Sequence, residues 1–346
     1  MRILIYELKK LLSTPALWGF VALCIAFNIW TMPTHLRNVE FDTTTPFPAN
    51  VFENYNTSEI AEAYISMFGL TGRVSDRMTA KYDALQTVAS ENALAEVSFS
   101  PYLGEFTQIM HINLFHGVAG VVGRLLLQGM LLAVLLALLA IGFEQINNTE
   151  HSVYATKTGR RIIRHKIAAS LITGTLIYLL LTAITLTVYF SMFDFGDVWS
   201  SNVSSGFNYV VDVIGTRAFI TWQSFTVLSY LLASLGVSVT LVICFSLIGI
   251  LVGTLSKNSY VGFLMVMLVN AVCLALPLII PMNSYAYFAS FHTPIWLWWN
   301  SHLWFTDGGV ITLWRNFELW GAGISLLVLS SLCMLAVKNF EKRNIA

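Results

Sequence analysis

The sequence predicts an all-α integral membrane protein: six transmembrane helices, an N-terminal interfacial helix, and a helical extracytoplasmic insert between spans one and two. Three observations carry that prediction. Hydrophobic residues make up 56% of the 346, charged residues only 11%, and the mean hydropathy is +0.69, whereas a soluble domain carries about 25% charge. Apolar runs recur at the length a bilayer requires, about 20 residues, between short polar segments. Charge is sorted between alternate segments, although the formal net charge is zero. Such a balance describes one polytopic unit over residues 1–346 rather than two soluble domains.

Residues 1–12, MRILIYELKKLL, place Met1, Leu4, Ile5, Leu8, Leu11 and Leu12 on one helical face. Arg2, Glu7, Lys9 and Lys10 lie mostly on the other. The pattern predicts a short helix in the membrane interface with its basic face toward headgroups. Thr14-Pro15 suits the cap and first position of a new helix, so the first span covers residues 15–32. Residues 1–12 could instead be the frayed start of that span, but the cap signal favours two segments. Leu23 stands where a cleavable signal needs a small residue, so the first span reads as uncleaved.

Residues 33–117 change character. TTTPFPAN resists both helix and strand interiors. Two amphipathic helices follow, over residues 58–70 and 75–97, with Met78, Tyr82, Leu85 and Ala89 at helical spacing in the second. Pro101 breaks the pattern, and a third helix starts near Leu103. The second span covers residues 118–143, with Arg124 near its outer end, and the third covers 167–190. Residues 191–224 form a polar and aromatic connection to the fourth span at 225–255. The turn SKNSY leads to the fifth span at 261–280; an aromatic stretch precedes the sixth at 319–337.

Charge orients these spans. The termini, residues 144–166 and residues 256–260 together hold twelve basic and four acidic residues, a net of +8, and everything else nets −8. The excess of Lys and Arg beside the span ends puts the termini and the 144–166 loop in the cytoplasm. Cys24, Cys244, Cys273 and Cys333 all fall in apolar runs and read as small hydrophobes rather than disulfides or metal ligands.

Enzymatic motifs are missing: there is no phosphate-binding loop, no H-E-x-x-H helix and no G-x-S-x-G elbow. His111 and His116 are five apart, which does not place two imidazoles on one helical face for zinc. Apart from Arg124, no Asp, Glu, Lys or Arg falls in a predicted span interior, where ion-coupled carriers keep the groups that bind the driving ion. No catalytic, cofactor or metal residue is therefore assigned, and any work the chain performs must enter from a partner. The aromatic stretch Phe291 to Phe305 reads as an interfacial belt, with a substrate-facing surface as the alternative. Gly249 and Gly253 form a GxxxG that permits close helix approach, within the chain or across a dimer.

The loop EQINNTEHSVYATKTGRRIIRHK, residues 144–166, is the strongest candidate for that entry point. An ordinary basic loop touching anionic lipid would also fit its charge. Glu144 follows the second span directly, and Asn147-Asn148-Thr149 can cap a short helix. Thr158-Gly159 then breaks the chain before Arg160, Arg161, Arg164 and Lys166.

The order interfacial helix, span, insert, span, Glu, Asn-Thr, then T-K-T-G-R-R-I-I-x-x-K entering the next span, resembles a bacterial ABC-2-type ABC transporter permease. ELKKLLSTP near the N-terminus and LSKNSY after the fourth span resemble that family too. The likeness covers the whole chain in topology and only these patches in residues. It implies a multi-pass protein of the bacterial cell membrane that pairs with a second permease copy or homologue. It further implies a separate cytoplasmic ABC ATPase that binds the ATP and docks on residues 144–166, with no nucleic acid involved. Glu144, Asn148, Thr149, Thr156, Gly159, Arg160 and Lys166 match the coupling segment. Two departures stand out: the insert exceeds that of the compact members, and their Gly-Thr pair is replaced by Asn148-Thr149. The resulting expectation is an exporter subunit for an amphiphilic substrate (lipid, peptide or drug) that is not itself an enzyme. The alternative is a non-transporting sensor or immunity protein that binds an extracellular ligand through residues 33–117.

Overall fold

A break separates the first two helices, α1 (Arg2–Leu12) and α2 (Pro15–Leu36), because Pro15 has no N–H to continue the ladder. The computed structural model describes residues 2–36, 50–95, 114–115, 120–155, 159–192, 199–204, 209–256 and 258–342. After α2 come α3 (Thr57–Phe68), α4 (Gly72–Leu94), α5 (Val121–Ile146) and the short α6 (Glu150–Tyr154). A 3-10 turn at Gly159–Arg161 leads into α7 (Ile162–Met192). Then follow α8 (Val227–Leu255), α9 (Ser259–Ile279), α10 (Tyr285–Ser290), α11 (Pro294–Trp299) and α12 (Phe317–Lys342).

Among the described residues, six helices are long and apolar enough to cross a membrane: Pro15–Met32 within α2, Val121–Ile146, Gly159–Met192, Val227–Leu255, Ser259–Ile279 and Phe317–Lys342. The architecture is that of a multi-pass, all-α membrane protein. Of these helices α5 and α8 are the most buried and α9 the least. The central pair meets at Gly249, where a Cβ would come within 2.9 Å of Ala137 Cβ and 3.1 Å of the Val134 carbonyl oxygen. The GxxxG therefore closes a contact inside the chain. Cys24, Cys244 and Cys333 are buried and unbridged, and Cys273 is half-buried.

Uncharged polar side chains also meet in the apolar interior. The side-chain amides of Asn28 and Gln128 exchange two hydrogen bonds of 2.9 Å, tying α2 to α5. Pairing both amides removes most of the cost of burying them. At the α2 end, Arg124 donates to Thr31 Oγ1 at 2.7 Å.

A second core lies outside the spans. Tyr64 of α3 and Met78, Tyr82, Leu85 and Ala89 of α4 are fully buried there, together with Ile220 and Phe288. The expected helical face of α4 is thus the packed face, yet the core is shared with segments more than a hundred residues away. The predicted helix near Leu103, and His111 and His116, lie outside the described residues. The connection at 191–224 holds an unexpected hairpin, β1 (Tyr209–Asp212) and β2 (Gly215–Ala218), paired antiparallel with Asp212 opposite Gly215. Gly215 supplies the φ of +113° that closes its two-residue turn.

The aromatic stretch differs from the expected belt. Trp304 is fully buried and Trp298 nearly so. Their indoles donate to the carbonyls of Leu297 (3.0 Å) and Gly123 (2.8 Å), and that of Trp296 to Cys273 (3.0 Å). Each ring has an internal acceptor for its N–H, so these residues pack α11 against α5 and α9 rather than seek headgroups. Trp299, 51% exposed, differs from those three indoles in facing outward.

Candidate functional site

The two ends of the 144–166 segment are the ends of α5 and α7, and the charges that terminate them are turned inward. Glu144, in the last turn of α5, pairs with Lys166, in the second turn of α7. Its other oxygen accepts from Lys10 Nζ of α1 at 3.1 Å, and Lys10 also pairs with Glu7 one turn earlier. Lys10 Nζ lies 4.3 Å from the centre of the Phe143 ring, a favourable place for a cation. All four side chains are almost completely enclosed. Two acids and two bases at such close quarters compensate each other's desolvation only as a set.

This arrangement revises the expected faces of α1. Glu7 and Lys10 were assigned to a headgroup-facing surface, but both point into the bundle, while Ile5 and Leu12 are exposed. The reason is the partner Glu144, which lies far away in sequence. Lys9 stays exposed.

Between the two anchored ends, residues 145–149 are exposed. Asn148 takes a positive φ of 54° and, like Thr149, is exposed. Thr149 occupies the N-cap position of α6, but its side chain makes no cap hydrogen bond. Gly159 takes a left-handed φ of +52° at the start of the basic run. Thr156 and Thr158 lie outside the described residues.

A second clamp joins this segment to the end of α12. Arg160 donates to the Phe340 carbonyl at 3.3 Å and sits 5.3 and 5.4 Å from the ring centres of Tyr154 and Phe340. Those two rings meet edge to face at 6.1 Å. Burial and the nearby Glu150 push the Tyr154 phenol up, against a smaller opposing effect of Arg160. Arg164 forms a two-pronged pair with Glu341 at 2.7 and 2.8 Å, the geometry a guanidinium fork favours.

Of the sequence-assigned residues, Glu144 and Lys166 are therefore brought together in one buried cluster, and Arg160 is docked on α12. Asn148 and Thr149 are displayed at the surface. Lys10, Glu7, Phe340 and Glu341 were not assigned. The i, i+3 spacing of Glu7 and Lys10 was the one available signal, and nothing local marks Phe340 as an acceptor. An end of each of α1, α5, α7 and α12 lies at this assembly, and Asn147, Asn148 and Thr149 between the two clamps are exposed.

Comparison with family models, with curated proteins and with solved structures gives no match to any of the three.

Proposed function

We propose that this chain is the membrane-spanning permease subunit of an ATP-driven ABC-2-type transporter, exporting an amphiphilic substrate. A separate cytoplasmic ABC ATPase docks on residues 144–166 and supplies the work. The supporting observation is the double clamp. Exposed residues such as Asn148 and Thr149 are flanked on one side by the Glu7, Lys10, Glu144 and Lys166 set and on the other by the Arg160–Phe340 and Arg164–Glu341 contacts. A push on that surface reaches four helices at once.

On this reading the termini and the loop face the cytoplasm of a bacterial cell, α1 lies in the interface, and α3 and α4 stand outside the membrane. A second permease copy completes the transporter, and ATP is bound by the partner only. The test is affinity purification of the full chain from native membranes. The expected result is co-purification of an ATPase with a phosphate-binding loop, lost when exposed Asn148 and Thr149 are both changed to Arg. A folded chain recovered with no ATPase contradicts the reading.

The second core favours one rival, a sensor or immunity protein that binds an extracellular ligand through residues 33–117. That reading requires a ligand that stabilises α3 and α4 in a chain without an ATPase.

A further inference from the structure

Two cavities adjoin at the α12 end remote from the 144–166 loop, and they differ in chemistry. The first, about 400 Å³, is lined by Arg77, Ala80, Lys81 and Ala84 on one face of α4 and by Leu313, Trp314, Arg315 and Trp320. The second, about 730 Å³, is an almost wholly apolar groove. It runs between α9, through Val269 and Cys273, and α12, through Ile324, Ser325 and Val328, with Ile248 of α8 also in its wall. Trp314 and Trp320 line both.

We propose that this pair of cavities is a binding site for an anionic phospholipid, with the headgroup phosphate at Arg77 and Arg315 and an acyl chain in the groove between α9 and α12. The polar end carries charge complementary to a phosphate. Arg77 and Arg315 are exposed, and neither has a carboxylate partner among the described residues. Among the described residues, no acidic side chain lines the cavity. Arg315 is held over the Trp222 ring at 4.5 Å, which fixes its guanidinium while leaving its N–H groups available. Lys81 adds positive charge but is not a ligand, because its ammonium is committed to the carbonyls of Asp307 (3.2 Å), Gly309 (2.6 Å) and Thr312 (2.9 Å).

The apolar end selects a bilayer occupant. α9 and α12 are the two least buried of the six long helices, and Val269, Ile324 and Val328 in the groove wall are themselves exposed. An acyl chain enters from that side without crossing water. Trp320, 64% exposed at the first turn of α12, marks the level where headgroups and chains meet. A few convergent polar groups over a largely apolar cavity is the composition expected of a small-ligand site. The site stands whether or not an ATPase drives the chain, and its test uses the purified protein alone.

The full chain in a non-ionic detergent is titrated with phosphatidylglycerol or phosphatidylcholine carrying brominated acyl chains, and tryptophan quenching is followed. Phosphatidylglycerol is expected to bind about tenfold more tightly. Changing Arg77→Gln with Arg315→Gln should level the two lipids, and Ser325→Phe, which fills the groove, should weaken both about tenfold. Thermal unfolding of each variant confirms that it is folded. Equal binding by the two lipids, or a preference that survives the double arginine change, overturns the proposal. So does inorganic phosphate that stabilises the chain as much as the lipid, or a dimer that Ser325→Phe splits with lipid binding intact.

Discussion

Lys10 Nζ lies 3.1 Å from Glu144 Oε1, although 134 positions separate the two in the chain. That contact, with the Glu144–Lys166 pair, fixes how α1 meets the ends of α5 and α7. Changing Glu144→Gln leaves two ammonium groups buried beside a single carboxylate. Breaking a buried pair from one side costs about 3–5 kcal/mol, so a clear drop in melting temperature is expected. Glu144→Leu combined with Lys166→Met should recover part of the loss, because no unpaired charge is created between them. Thermal unfolding in detergent measures both.

The second clamp is expected to act locally. Arg160 is half-buried and its contacts are to one carbonyl and two rings. Phe340→Ala should leave the melting temperature nearly unchanged while hydrogen exchange rises at the end of α12 and in α6. Unchanged exchange in α6 would mean that the two elements are not mechanically joined.

Gly249 offers a sharper test of packing. A side chain there meets the Val134 carbonyl oxygen at 3.1 Å and Val134 Cα at 3.2 Å, backbone atoms that cannot rotate away. Gly249→Val should cost about 1–3 kcal/mol or more. Gly236→Ala and Gly323→Ala, where a Cβ meets nothing within 4 Å, serve as controls. A Gly249 variant that dissociates a dimer at unchanged stability would instead place the motif between copies.

The second core should respond to pH in two separate windows. Asp307 is fully buried, which would push its carboxyl up, but Arg217 and Lys81 outweigh burial and hold it below the ordinary value of 3.8. Its Oδ1 lies 2.8 Å from Arg217 Nη1 as an ion contact, and Tyr82 donates to its other oxygen. As pH falls the unfolded carboxyl takes up its proton first, so the stabilisation is complete above 3.8 and is lost only below it. Asp307→Asn should flatten that acid limb.

His292 titrates earlier. Burial pushes its imidazole below the ordinary 6.5, while its Nδ1 lies 2.9 Å from the Phe288 carbonyl oxygen. The unfolded ring then binds the proton first, so stability is present above 6.5 and declines as pH falls through the lower folded value. A melting-temperature profile of His292→Gln should lack this decline and keep the one due to Asp307.

The spans were legible because hydropathy and length are local properties, and α4 because Met78, Tyr82, Leu85 and Ala89 share one face. The residues that organise the loop were only half legible. Glu144 and Lys166 stood out as charges at span ends, but their enclosure depends on Lys10, whose direction the α1 pattern misassigned. Lys81 was not singled out, because its three carbonyl acceptors lie more than 220 residues away. Glu318, counted with the outer charges, is fully buried at the start of α12. The hairpin escaped notice because Val213-Ile214 is not a turn-forming pair, and Gly215 alone signals the reversal.

The central claim is that the surface between the two clamps receives an ATPase. The direct measurement is a photo-crosslinking side chain at Thr149, activated in native membranes, with the adducts identified by mass spectrometry. An ATPase carrying a phosphate-binding loop is the expected adduct. Adducts to lipid alone, from a chain shown to be folded, would contradict the account.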